Sequence, residues 1–132
     1  MWWLGRKKPG EIWEEQIQLP IGDIEAAEKI RNICRSAADS AERVGAPAAS
    51  RRKRKDRKAE ARDGSRYQSA ARTAMEIAMK ISDDLMRDSA VGQILDLCMK
   101  ANDMKTARIL FRAIQAVSIR ETVLNDHPAL RE

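Results

Sequence analysis

The sequence predicts an all-α fold, and three observations support this prediction. Apolar residues recur at steps of three and four along much of the chain, and no useful alternating apolar–polar run occurs. Gly (6) and Pro (4) are scarce, which disfavours a turn-rich β-sandwich or barrel. Charged residues reach 34%, as expected of helices with long solvated faces. We therefore expect a small antiparallel bundle of about four helices, with an exposed basic insert between the first and second helices.

The chain has 132 residues, 43% of them hydrophobic, which suits one domain with a real core. Residues 1–22 are predicted to form an irregular segment that contains Trp. Residues 23–124 are predicted to form a single helical domain, interrupted by a basic linker at 46–64, and residues 125–132 a C-terminal tail.

The first helix is predicted at 23–44, with Asp23 as its N-cap and Gly45 and Pro47 as its stop. The second is predicted at about 65–87, because Ser65-x-x-Gln68 is a capping-box pattern. Three acids then predict a break, with Asp88 or Ser89 capping the next helix; they are Asp83, Asp84 and Asp88.

The third and fourth helices are predicted at about 90–101 and 104–124. Asn102-Asp103 is expected to cap the fourth helix, and the segment from Asn125 to Pro128 to end it. Because the connection between the two helices is very short, they are expected to pack as an antiparallel hairpin.

The positive charge of the chain is concentrated in one place. The formal net charge is +5. The stretch from Arg51 to Arg66 has nine basic and three acidic residues, so it carries +6 and the remainder −1. Residues 46–64 contain no apolar side chain larger than Ala, so they are expected to be exposed, disordered or fraying, and to become helical when anions neutralise them.

Such a tract binds phosphates electrostatically, and Arg pairs with them bidentately. The first interpretation is therefore a nucleic-acid-binding protein, or one binding another polyanion, with little sequence specificity. A solvated loop and a nuclear sorting signal are the alternatives. The predicted contact residues are Arg51, Arg52, Lys53, Arg54, Lys55, Arg57, Lys58, Arg62 and Arg66.

A second cluster lies near the N-terminus. Its members, which are possible secondary contacts, are Trp2, Trp3, Arg6, Lys7 and Lys8. Indoles beside cations stack on bases or sit at an anionic membrane surface. The favoured interpretation is that the Trp side chains cap an Ala-rich bundle, so peripheral membrane contact is not expected.

The sequence offers little for catalysis or metal binding. Cys34 and Cys98 lie on predicted apolar faces, and His127 follows the last helix. One His and two Cys do not complete a zinc site, and no nucleophile–His arrangement or Gly-rich phosphate loop is present. We therefore expect no enzyme activity, no metal and no cofactor.

The sequence favours a cytoplasmic location. The spacing of the two cysteines is not that of a disulfide framework. The sequence also contains neither a secretory signal nor an apolar run long enough to span a membrane.

The alternative function is a helical protein–protein interaction module: an adaptor, an inhibitor or a subunit of a larger assembly. Apolar residues lie off the main stripes of the second and fourth helices, which predicts spare apolar surface for a protein partner or a homo-oligomer. These residues are Met75, Met79, Met86, Ile109, Ala116 and Ile119.

Overall fold

A computed structural model describes residues 22–46 and 54–131, with side chains from Arg57 onward in the second range. These residues form five α-helices and no β-strand, so the predicted all-α class is confirmed. The helices are α1 (Asp23–Val44), α2 (Arg54–Ala78), α3 (Asp84–Lys100), α4 (Met104–Ala113) and α5 (Val117–Asp126), with a final 3-10 turn at Pro128–Leu130. None of the helices within the described ranges has an apolar stretch sufficient to span a bilayer.

The first helix has the predicted bounds but a different N-cap. Gly22 occupies the cap position, and Asp23 is the first helical residue. The Asp23 carboxylate instead accepts hydrogen bonds from the backbone amides of Ser82 (2.8 Å) and Asp83 (2.9 Å). The prediction that Asp23 caps α1 was wrong because its side chain satisfies amides of the α2–α3 connection.

The second helix is displaced from its predicted position at both ends. It begins at Arg54 instead of Ser65, so residues 54–64 of the predicted basic linker are helical. It ends at Ala78 instead of Arg87, because Asp83 caps α3 by accepting a 2.8 Å hydrogen bond from the Met86 amide. The predicted caps Asp88 and Ser89 both lie inside α3.

The predicted fourth helix is two helices, which gives five helices within the described residues instead of the predicted four. The break at Ile114–Ala116 contains neither Gly nor Pro. The buried Asp88 carboxylate accepts from the amides of Gln115 (3.0 Å) and Ala116 (2.9 Å) through the same oxygen, Oδ2. Arg120 donates to the carbonyl of Ile114, 2.9 Å away, so side chains replace the helical hydrogen bonds lost at this corner.

The core is formed where α1, α2 and α3 pack on one another, and α4 packs on the outside of α3. Small residues fill the α1–α2 contact, which allows the two helix axes to approach closely. Its buried alanines are Ala26, Ala37, Ala41, Ala70, Ala74 and Ala78, and larger side chains from α1 and α3 complete the core, among them Ile30, Ile94, Leu95 and Leu97.

The α3–α4 connection is the short turn that the sequence predicts. Asn102 has a φ of 59°, in the left-handed region that Asn tolerates. Asp103 caps α4 as predicted, with its Oδ1 accepting from the Thr106 amide at 3.2 Å. The two helices pack against each other as a hairpin, while α2 lies on another side of α3 and leaves a cleft beside α4.

Candidate nucleic-acid interface

The predicted phosphate-binding residues fall into three groups in the structure. Arg51, Arg52 and Lys53 lie outside the described residues. Arg54 and Lys55 occupy the first turn of α2. The remaining ones lie further along α2, where Arg57, Lys58 and Arg62 are exposed and Arg66 is half-buried.

Two contacts fix the register of α2 against α1. Arg66 Nη1 donates a 2.8 Å hydrogen bond to Ser40 Oγ. Three residues earlier on α2, Asp63 pairs with Arg43, which lies three residues later on α1. The two helices are therefore antiparallel, and a step forward along α1 matches an equal step back along α2. This register places Arg62 level with Val44, the last residue of α1.

This register leaves the start of α2 without a helical partner on α1. The eight residues Arg54–Ala61 extend beyond the end of α1 by about 12 Å, at about 1.5 Å per residue. Arg57, Lys58 and Ala61 in this overhang are exposed. The overhang therefore presents Arg57 and Lys58 to solvent beyond the end of α1.

An ion pair removes one of the acids that would otherwise weaken the positive field. Arg43 Nε lies 2.8 Å from Asp63 Oδ2, and Nη2 lies 3.1 Å from Oδ1. Hydrogen bonding from Arg43 lowers the pKa of Asp63, so this carboxylate stays ionised and paired. Asp63 thus takes its hydrogen-bonded counter-charge from α1, with a smaller electrostatic contribution from its neighbour Arg62.

Arg66 has a different environment from the other predicted contacts. Its guanidinium crosses to α1 and donates to Ser40, whose side chain is fully buried. It therefore joins α1 to α2, and the exposed part of the predicted set reduces to Arg57, Lys58 and Arg62. No local sequence pattern marks this difference, because the partner of Arg66 lies 26 residues away on α1.

The outward face of α2 carries one further cation that the sequence prediction omitted. Arg72 is exposed, and it follows Lys58 and Ser65 at successive steps of seven residues. Two helical turns span about seven residues, so these three side chains lie nearly in line. The helical repeat could have identified Arg72, but it lies outside the dense run that marked the tract.

The cations at the start of α2 oppose the helix electrostatically. The N-terminal end of a helix carries a partial positive charge, so Arg and Lys there are unfavourable and anions favourable. Arg54 and Lys58 are also like charges at i and i+4. A bound polyanion would relieve both repulsions, since the N-terminal end of a helix favours anions.

The second predicted cluster, which comprises Trp2, Trp3, Arg6, Lys7 and Lys8, lies outside the described residues. The role of this cluster as a possible secondary contact therefore stays a prediction.

The cysteines occupy apolar surroundings. Cys98 is buried and Cys34 half-buried, and both are free thiols. Burial raises the pKa of Cys34 to about 12 and that of Cys98 to about 11. Both side chains are therefore protonated near neutral pH and unsuited to nucleophilic attack.

His127 is held more firmly than a tail residue would be. Its Nε2 lies 2.7 Å from Asp96 Oδ1 on α3, and Leu130 beyond it is buried. The described part of the predicted tail therefore packs on the domain. Across the ranges the structure describes, no group of three or more His, Cys, Asp or Glu side chains is placed to hold a metal ion.

The fold and this face define a small all-helical chain with a projecting basic helix end. Comparison with protein-family models, curated proteins and solved structures found no match to the chain.

Proposed function

We propose that this protein binds nucleic acid through the outward face of the N-terminal half of α2, without catalysis and with little sequence preference. The observation that carries the proposal is the overhang, in which Arg57 and Lys58 are exposed beyond the end of α1 while Arg43 neutralises Asp63. Phosphate contacts of this kind release condensed counterions and do not require a defined base sequence.

The test is a fluorescence-anisotropy titration of labelled duplex DNA at several salt concentrations. The complete tract is expected to neutralise about six to eight phosphates, so log K should fall with log salt at a slope of about −5 to −7. The variant Arg57→Gln/Lys58→Gln/Arg62→Gln removes three contacts at about 0.9 each, which should reduce the steepness of that slope by about 2.7.

A matched control removes three exposed cations that lie elsewhere: Arg31→Gln/Lys80→Gln/Arg112→Gln. It changes the net charge by the same amount, so it separates a local interface from general attraction. The control should retain almost all of the wild-type affinity. Equal losses in the two triple variants, or wild-type binding by the tract variant, would contradict the proposal.

A protein–protein interaction is the second candidate, and exposed apolar side chains at the other end of the bundle favour it. Ile24 is 76% exposed, Met79 68% and Leu85 58%. All three flank the contact between Asp23 and the Ser82–Asp83 backbone, whereas the overhang lies beyond the far end of α1.

Light scattering tests this second candidate. It predicts a dimer or larger species that persists in high salt, because apolar contacts are not screened. The exchange Ile24→Ser/Leu85→Ser should then yield a monomer, whereas the tract variant should not. A monomeric wild-type protein at every concentration would count against self-association through this end.

A further inference from the structure

A small cavity opens between α2 and α4, with α3 as its floor. Its volume is about 210 Å³. The walls are mainly apolar, and Ile94 at the floor is fully buried. The apolar lining side chains are Tyr67, Ala71, Met75, Ile94 and Leu110. The cavity is smaller than the roughly 300–1,000 Å³ of a drug-sized site, so it suits a single ring system.

Polar groups surround the mouth of this cavity. Gln68 and Arg72 lie on the α2 side and are exposed, and Asp103 and Thr106 lie at the start of α4. Asp103 Oδ2 accepts a 2.7 Å hydrogen bond from Tyr67, which holds the carboxylate at the rim. The site thus combines an apolar interior with an amide, a carboxylate and a guanidinium at its edge.

The cavity is continuous with the cationic face of α2. Arg72 belongs both to the cavity mouth and to the line of exposed positions that runs back through Ser65 to Lys58. Arg62 and Arg72 are ten residues apart, or about 15 Å along the helix axis. A strand whose phosphates follow these cations would reach the edge of the opening at Arg72, which belongs to both features.

We propose that the cavity binds one unpaired nucleobase of a strand whose phosphates contact Lys58, Arg62 and Arg72. A nucleobase has apolar faces and a polar edge, which matches apolar walls beneath a polar rim. A base inside a duplex does not reach such a pocket without being extruded from the stack, so the preferred ligand is single-stranded. This inference rests on the proposed nucleic-acid function and specifies which form of nucleic acid that function selects.

The experiment compares three labelled ligands of about twelve nucleotides: a mixed-sequence DNA strand, an abasic strand with the same number of phosphates, and a duplex. The abasic strand retains the charge and lacks the bases. The wild-type protein should bind the base-bearing strand about fivefold more tightly than the abasic one. It should also bind that strand more tightly than the duplex.

The variant Ala71→Leu fills the cavity from its α2 wall, and Ala113→Leu adds the same side chain at an exposed site on α4. The Ala71→Leu variant should bind the base-bearing and abasic strands equally, and its affinity for the abasic strand should equal that of the wild-type protein. The control should keep the wild-type preference. If Ala71→Leu unfolds, Gln68→Ala at the exposed rim provides the same comparison, with a smaller loss of preference.

The outcomes separate this inference from the proposed function. Binding of all three ligands that depends on Arg57, Lys58 and Arg62 but is unaffected by Ala71→Leu would overturn the base pocket and leave the electrostatic function standing. Equal binding of base-bearing and abasic strands by the wild-type protein would also overturn it. If no ligand binds through those cations, both proposals fail.

Discussion

Arg43 on α1 and Asp63 on α2 form a bidentate ion pair, with donor–acceptor distances of 2.8 Å and 3.1 Å. The pair lies where α1 ends and α2 continues alone. It therefore holds the base of the overhang to the bundle and neutralises an acid within the basic tract. Stability and anion binding are linked at this one contact.

The exchange Asp63→Asn should separate these two effects. It removes the ionic partner of Arg43 and should lower the free energy of unfolding by at most about 1 kcal/mol, since Arg43 is largely exposed. It also removes one negative charge from the tract, so polyanion affinity should rise. Urea unfolding and anisotropy measure the two quantities, with Glu25→Gln at the start of α1 as the control.

The pH dependence of this contribution has a definite sign. Hydrogen bonding from Arg43 lowers the pKa of Asp63 in the folded state below its ordinary value near 3.8. The stabilisation is therefore complete above about pH 4 and is lost as the pH falls through the folded-state pKa. The stability difference between wild type and Asp63→Asn should shrink in that acid range. A difference that persists unchanged at low pH would contradict this assignment.

The sequence was sufficient for the features that depend on local chemistry. Helical periodicity predicted the all-α class and the bounds of α1, and Asp103 caps α4 as expected. The misplaced features depend on contacts between distant residues. Asp88 binds amides 27 and 28 residues away, so no local pattern marks the α4–α5 break. Likewise, the hydrogen bond that distinguishes Arg66 from Arg62 joins it to Ser40, 26 residues away, so no local pattern marks it.

The break between α4 and α5 should depend on one oxygen atom of Asp88. Asp88→Ala leaves the Gln115 and Ala116 amides without their acceptor and should cost about 2–3 kcal/mol. Asp88→Asn should cost about 1 kcal/mol or less, because both amides bond to Oδ2 and an amide carbonyl can replace it. Chemical denaturation measures both, with exposed Ser89→Ala as the control. Equal losses in the Ala and Asn variants would refute this explanation of the corner.

The electrostatic strain at the start of α2 should appear as a salt-dependent stability change. Arg57→Glu places an acid near the positive end of the helix and should stabilise the protein by about 0.3–1 kcal/mol at low ionic strength. The gain should fall as salt is added. Arg31→Glu makes the same charge change in the middle of α1, where the helix dipole is weak. A similar gain in both variants would attribute the effect to net charge instead of position.

Gly45 at the end of α1 and Gly64 within α2 should respond oppositely to substitution by Ala. A Cβ at Gly45 would collide with the Lys100 carbonyl oxygen, a backbone atom that cannot rotate away, whereas a Cβ at Gly64 meets nothing within 4 Å. Gly45→Ala should therefore cost about 1–3 kcal/mol by forcing α1 away from the end of α3. Gly64→Ala should stabilise the protein by about 0.5–1 kcal/mol, because Ala in a helix loses less backbone entropy than Gly on folding.

Thermal and urea unfolding measure both variants, and circular dichroism reports the helix content. Each glycine variant is the control for the other, since the atoms added are identical. Gly64→Ala should leave salt-dependent DNA binding intact, because the added methyl carries no charge and the exposed cations of α2 stay on the same face. If Gly64→Ala destabilised the protein, α2 would not continue as a regular helix through the tract, and the overhang on which the proposed interface depends would be disproved.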